Sequence, residues 1–313
     1  RDFAPALVLS VCYGATIGGM STLVGTPPNA ILAGFLRENY DIEVGFLGWM
    51  ILALPVSLIL AVAAWFVLTR VALRLSGEDL AGGREILARA EEDLGVMSRQ
   101  EKTVATVFVL TASLWVARGF LEDFLPWLND ASIAMAGGLS LFMLPARSGS
   151  SERILSWKDC QKIPWDILIL IGGGLSLAAA IQKNGVADWI GQSLATTDRL
   201  PATVLLFLLI FVVICLSELA SNSATTLTFL PIVSALAVAL GLPAVPLAAA
   251  VALGSSCGFM LPISSPPNAI VFGSGRVTIQ EMARAGLFMN ILCWVTLSSW
   301  LAWVAPKLPW LAD

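Results

Sequence analysis

Residues 264–270 read SSPPNAI, and they lie inside a stretch, 219–275, that holds no charged residue. Two consecutive prolines interrupt a helix, because proline lacks the N–H that the ladder needs and its ring crowds the preceding turn. Asparagine adds a polar group that hydrocarbon cannot satisfy. The same signal occurs once more. Residues 25–31 read GTPPNAI, and the offset that aligns the two heptads also aligns Thr16 with Ser255 and Gly19 with Gly258. Two PPNAI pentads inside apolar segments read as an internal repeat, not as two accidental kinks.

The chain is 57% hydrophobic and 13% charged, with a mean hydropathy of +0.83, which places it outside the soluble globular class. Uncharged runs recur at 44–69, 103–117, 131–146, 167–182, 200–217, 219–275 and 285–306, long enough to cross or nearly cross a bilayer. The runs are continuous instead of alternating, so they predict an all-α polytopic membrane protein, not a barrel. The sequence has no histidine, which excludes HExxH zinc chemistry and histidine acid–base catalysis. Cys12, Cys160, Cys215, Cys257 and Cys293 lack CxxC spacing and read as small core residues. No nucleic-acid partner is expected, and the partner surface is the lipid bilayer.

Basic residues orient the spans. Arg70, Arg74, Arg84, Arg89, Arg99 and Lys102 follow the second span, and Arg147, Arg153, Lys158 and Lys162 follow the fourth. By the positive-inside rule both linkers face the cytoplasm. The connections at 37–43, 118–130 and 183–199 are poorer in Lys and Arg and face outward. Spans at 3–36, 44–73, 103–124, 131–146 and 164–182 then alternate in direction. Residues 186–197 carry an apolar stripe that suits an interfacial helix or an outer loop with a helical turn. The segment 200–241 has two apolar arms around Glu218 to Thr226 (ELASNSATT), and it reads as a re-entrant hairpin with its tip at Ser221 to Ser223. Residues 246–275 then run inward and 283–305 outward.

In that topology GTPPNAI sits in an outward-running span and SSPPNAI in an inward-running one. The two are related by an inverted repeat, an architecture of secondary transporters. Thr26 and Ser265 are expected to cap new half-helices that begin at Pro27 and Pro266. Each break exposes carbonyls able to hold a cation and N–H groups with a positive dipole end that attract an anion. Neither 219–275 nor the segment between Asp2 and Arg37 contains Lys or Arg, so a bound dianion requires accompanying cations, while a neutral substrate fits the same absence. Ser, Thr and Asn oxygens with free carbonyls suit sodium. Glu218 either compensates such a cation or satisfies backbone donors at the hairpin turn. A channel needs no occluded site, and no nucleophile–base pair supports an enzyme.

The stretches YGATIGGMSTLVGTPPNAIL (13–32), IPWDILILIGGGLSLA (163–178), ELASNSATT (218–226) and SCGFMLPISSPPNAIVFGSG (256–275) closely resemble the divalent anion/sodium symporter family. That family contains sodium-coupled di- and tricarboxylate carriers and sulfate carriers. The resemblance implies sodium-coupled symport of C4-dicarboxylates such as succinate, malate or fumarate across the bacterial cytoplasmic membrane, with a citrate or sulfate carrier or an exchanger as the alternative. It implies substrate contacts at Ser221, Asn222, Ser223, Ser265, Pro266, Thr26 and Pro27. Sodium positions follow at Ser217, Ala220, Asn222, Ser264 and Gly25. Ser223 stands where the family's Ser-Asn-Thr signature has Thr, which keeps the hydroxyl and removes a methyl.

The family also has a first hairpin just before its first broken span, and no copy of it occurs in this chain. The chain therefore reads as the carboxy-terminal part of a longer carrier, or as a fragment that does not transport. By resemblance the mechanism is an elevator. Residues 1–74 and 200–313 form the transport domain, 75–102 a cytoplasmic linker helix, and 103–199 a scaffold, with its interfacial arm, that makes a homodimer.

Overall fold

The computed structural model describes residues 3–73, 83–121, 124–125, 127–146, 152–161, 163, 165–186, 189, 201–304 and 307. Among these, secondary structure is helical apart from one isolated antiparallel bridge, Pro145–Arg153. The helices are α1 (Phe3–Met20), α2 (Pro27–Tyr40), α3 (Phe46–Phe66, continued as a π-helical turn over Val67–Ala72), α4 (Gly83–Leu94), α5 (Arg99–Leu121), α6 (Asp130–Met143), α7 (Trp157–Cys160) and α8 (Trp165–Lys183). They continue as α9 (Ala202–Leu219), α10 (Asn222–Leu240), α11 (Ala244–Ser255), α12 (Pro266–Gly273) and α13 (Ile279–Trp303). Six described helices are long and apolar enough to cross a membrane: α1, α3 with its π turn, α5, α9, α10 and α13. The protein is an all-α, multi-pass membrane protein.

Both expected interruptions are present, and the second half-helices begin at Pro27 and Pro266. The junction between α9 and α10 falls slightly earlier than the sequence suggests. Ser221 takes the N-cap, its Oγ accepting from the Ala224 N–H at 3.2 Å, so Asn222 and Ser223 enter the first turn and only Ala220 and Ser221 lie outside both helices. Of the linker helix expected at 75–102, 75–82 lies outside the described residues, 83–94 is helical, and 99–102 is already the first turn of α5. The expected interfacial segment 186–197 likewise lies outside them, apart from Val186 and Trp189.

The chain divides into two compact units, Arg1–Leu75 with Asp166–Asp313, and Ser76–Trp165. In the first, α11 is the core helix, with every residue from Leu247 to Ser255 buried. Its sequence, AVPLAAAVALGS, is dominated by small side chains, and small side chains let helix backbones approach closely when lipid offers no hydrophobic drive. Helices α2, α9, α10 and α13 surround it. The packing is crosswise: α1 lies against α12, and α11 against α2, so each half-helix before a break touches the half-helix after the other. Helix α13 is fastened by indole donors, Trp300 Nε1 to the Leu52 carbonyl at 3.0 Å and Trp294 Nε1 to that of Phe207 at 2.8 Å.

In the second unit α5 packs on α6. Trp115 Nε1 donates to the Asp130 carbonyl at 3.0 Å, and Arg118 pairs with the Asp130 carboxylate at 3.4 Å. No residue of α5 is buried, and Phe108, Leu110 and Phe120 are exposed.

Gly286 decides how closely α13 approaches the second break. A Cβ there would lie 2.5 Å from the carbonyl carbon and oxygen of Phe259, whereas a Cβ on Gly273 meets nothing within 4 Å. Gly286→Ala is therefore expected to cost about 1–3 kcal/mol by overpacking and to lower the thermal midpoint in detergent. Gly273→Ala, in open space at a helix end, leaves that midpoint unchanged or raises it.

Candidate binding site at the broken spans

Each break is held by its own asparagine. Asn29 and Asn268 are fully buried. Asn29 Nδ2 donates to the carbonyls of Thr22 at 2.8 Å, Met20 at 3.3 Å and Gly19 at 3.4 Å. Asn268 Nδ2 donates to the carbonyls of Leu261 at 2.9 Å and Gly258 at 3.0 Å, and to Ser264 Oγ at 2.7 Å. Gly19 and Gly258 are equivalent in the repeat, and so are Thr22 and Leu261. The amides thus collect carbonyls from the end of the first half-helix and from the non-helical residues that follow it, which have no helical ladder to satisfy them. The two glycines are constrained alike. A Cβ on Gly19 would stand 2.8 Å from the Gly25 carbonyl oxygen, and one on Gly258 would stand 2.9 Å from Ser264 Cβ.

The repeats differ in their caps. Ser265 is the N-cap of α12 and accepts from the Asn268 N–H, at a long 3.5 Å. Thr26 occupies the N-cap of α2 in extended conformation without a side-chain cap bond, and its buried Oγ1 has no partner. The expected cap is therefore positional at Thr26, where the Asn29 N–H goes to the Thr26 carbonyl instead, at 3.2 Å. Asn268 Oδ1 accepts from the Cys12 thiol at 2.8 Å, which links α1 to α12, whereas Asn29 Oδ1 has no partner.

The second break also meets the α9–α10 junction. Ser217 Oγ donates to the Ser255 carbonyl. With its NH2 turned toward the surrounding acceptors, Asn222 donates to the carbonyls of Ser264 at 2.8 Å and Ser255 at 2.9 Å and to Ser217 Oγ at 2.9 Å. A half-turn of the amide replaces that nitrogen with oxygen. The same positions then form an all-oxygen cluster, the donor set that a hard cation prefers. Thr226 Oγ1 bonds Ser255 Oγ at 2.6 Å and donates to the Asn222 carbonyl at 2.8 Å, which fixes the register of α10 on α11.

Of the residues singled out in the sequence, Ser217, Asn222 and Ser264 are brought together. Ala220 and Ser221 are exposed at the junction and Ser223 is half-buried beside them. Ser265 is buried at the start of α12 with Pro266 exposed after it, and Gly25, Thr26 and Pro27 stand at the first break. A Cβ on Gly25 would collide with the Gly19 carbonyl. The sequence assigned no site role to Ser255, Asn29 or Asn268, and it marked Cys12 only as a small core residue. The asparagines were marked by the repeat itself, since each occupies the same place in both heptads.

The structure also decides between the two roles open for Glu218. Its carboxylate accepts from the backbone N–H groups of Phe259 at 2.7 Å, Met260 at 2.9 Å and Leu261 at 3.0 Å, and from Asn290 Nδ2 at 2.6 Å. It satisfies backbone donors, but those of the second break and not those of its own turn.

Interrupted helices beside a buried polar junction set this multi-pass membrane protein apart from a bundle of uninterrupted spans. The chain belongs to the family described as the sodium:sulfate symporter transmembrane region, which matches residues 1–308. It is similar to the sodium-dependent dicarboxylate transporter SdcS of Staphylococcus saprophyticus, 37% identical over 294 residues, and to that of Staphylococcus aureus strain USA300, 37% identical over 298 residues. Each alignment covers 93% of this chain and 57% of the relative, so the chain spans somewhat over half the length of these relatives.

Asn268→Asp keeps the shape and the acceptor for Cys12 but turns a carboxylate toward two carbonyls and a hydroxyl. The loss of the amide donors is expected to cost about 2–4 kcal/mol, read as a lower thermal midpoint. Cys12→Ala, which removes one weak donor, shifts it far less.

Proposed function

We propose that the chain carries the cation site and one face of the substrate site of a sodium-coupled symporter for small dicarboxylates, with succinate, malate and fumarate as the class. One observation carries the reading. Ser217, Asn222 and the carbonyls of Ser255 and Ser264 gather oxygen ligands inside the protein, in a segment without Lys or Arg. A cation is the charge that such a cluster accepts. Once bound, it offsets one charge of an anion placed next to it, which no fixed positive side chain does here. Ser265 and Pro266 open α12 beside this cluster, and the positive end of that half-helix suits a carboxylate. Ser221, Asn222 and Ser223 supply hydroxyl and amide contacts from the junction, and Thr26, Pro27 and Gly25 supply their counterparts at the first break. The relatives' names, sodium-dependent dicarboxylate transporter, support both the ion and the substrate.

The crosswise packing of α1 on α12 and α11 on α2 supports an inverted repeat, with the α9–α10 pair as a re-entrant hairpin. The basic linkers orient the protein with 75–102 and 147–162 in the cytoplasm of a bacterial inner membrane. Motion is of the elevator type. Helices α1–α3 and α9–α13 carry the site, and a homodimer forms through the scaffold at 103–199, a role supported by the unburied apolar surface of α5. Membership of a sodium:sulfate symporter family favours one second reading, a sulfate carrier.

Uptake of labelled succinate into proteoliposomes is expected under a sodium gradient and not when potassium replaces sodium. Unlabelled sulfate and citrate compete weakly. Uptake indifferent to sodium refutes the symport, and strong competition by sulfate moves the substrate to the second reading. Ser217→Ala, which deletes one oxygen of the cluster, is expected to raise the sodium concentration for half-maximal uptake about tenfold, the value of roughly one hydrogen bond to a charge.

A further inference from the structure

Glu218 is the acid nearest the proposed cation cluster, directly following Ser217, yet its carboxylate turns away from it. It faces three successive backbone N–H groups, those of Phe259, Met260 and Leu261, and the side chain of Asn290 on α13. Successive N–H groups of this kind form a concave anion nest. Such a nest can take a bound anion as its ligand. Here the ligand is a side chain of the same chain, 6% exposed.

The nest and the cluster share a backbone. Leu261 gives its N–H to Glu218 and its carbonyl to Ser264, whose Oγ donates to it at 2.8 Å and whose N–H does so at 3.2 Å. The Ser264 carbonyl in turn belongs to the cluster. From the other side, Ser217 precedes Glu218 and places its Oγ on the Ser255 carbonyl. The two strands of chain are in close register, because a Cβ on Gly258 would lie 3.4 Å from the Ser217 carbonyl oxygen. Helix α13 closes the third side with Asn290 and with Gly286, which lies against the Phe259 carbonyl.

We propose that Glu218 is a positioning residue for the cation site: by clamping the second break to the end of α9, it sets the spacing between Ser217 and Asn222 on one strand and the carbonyls of Ser255 and Ser264 on the other. The inference rests on the sodium-symport reading. Only a carboxylate fills this place. Its two oxygens accept from all four donors, whereas an amide presents one oxygen and turns an NH2 group on N–H groups, leaving part of the nest without its acceptor. The loosened break then moves the two carbonyls relative to Asn222, and cation affinity falls before anything at the N-terminus of α12 changes.

The test is sodium titration of succinate uptake by the protein expressed from its native reading frame, in liposomes, for wild type, Glu218→Gln and Asn290→Ala. Glu218→Gln is expected to raise the half-saturating sodium concentration about tenfold or more, while the KM for succinate at saturating sodium changes by less than about threefold. Asn290→Ala keeps the three backbone bonds, and a shift of about threefold in the same direction is expected. A Glu218→Gln protein whose maximal rate falls with the sodium half-saturation unchanged has lost only a structural carboxylate, and overturns the proposal. If Glu218→Gln is not recovered folded, Asn290→Ala decides, and an unshifted half-saturation overturns it. A wild type indifferent to sodium removes the symport reading together with this inference. A sodium-sensitive wild type with unshifted variants removes the inference alone.

Discussion

A helix interrupted inside a bilayer releases carbonyls and N–H groups that lipid cannot satisfy, and each left unpaired costs several kcal/mol. The rest of this structure depends on how those groups are satisfied. Proline at the start of α2 and α12 removes N–H groups that have no partner in any first turn. Asn29 and Asn268 take carbonyls of the connecting segments inside the breaks, and Glu218 takes the N–H groups of residues 259–261. Among these devices one alone is an acid. No Lys or Arg lies within 219–275 or between Asp2 and Arg37, so those segments bring no basic side chain to the polar junctions.

The second break is the better satisfied of the two. Asn268 has both ends of its amide engaged and Ser265 caps α12, while Asn29 Oδ1 and Thr26 Oγ1 are buried without partners. The difference follows the neighbours. The second break is enclosed by α9, α11 and α13, and Cys12 reaches Asn268 from α1. At the first break, Gly25, Pro27 and Val24 are exposed. The proposed cation cluster lies at the enclosed break, where a low dielectric makes each oxygen–cation contact count for more than it would in water.

Much of the fold was legible in the sequence because its strongest signals are local. Proline and the residue before it decide where α2 and α12 begin, and uninterrupted apolar length decides α3, α5 and α13, whereas the N-cap at Ser221 was hidden inside the expected hairpin tip. The repeat was legible as a string. Its meaning as hydrogen bonding was not, since Asn29 and Asn268 reach back across several residues to carbonyls that no periodicity marks. Glu218 shows the limit most clearly. An acid in an apolar segment announces a function or a partner, but its partners lie 41 to 43 residues onward and, for Asn290, 72 residues onward. Such separations are set by tertiary packing. Cys12 was expected as filler and instead donates across the two repeats.

The central claim is that the junction of α9 and α10 and the carbonyls of the second break hold one sodium ion. It is tested most directly by paired electron cryo-microscopy maps of the protein in lipid nanodiscs, one in sodium and one in potassium. The account predicts a density present only in sodium, coordinated by Ser217 Oγ, the carbonyls of Ser255 and Ser264, and an Asn222 amide whose oxygen has turned inward. Identical maps at this position, or a sodium-dependent density bound elsewhere with Asn222 still donating to both carbonyls, would contradict it.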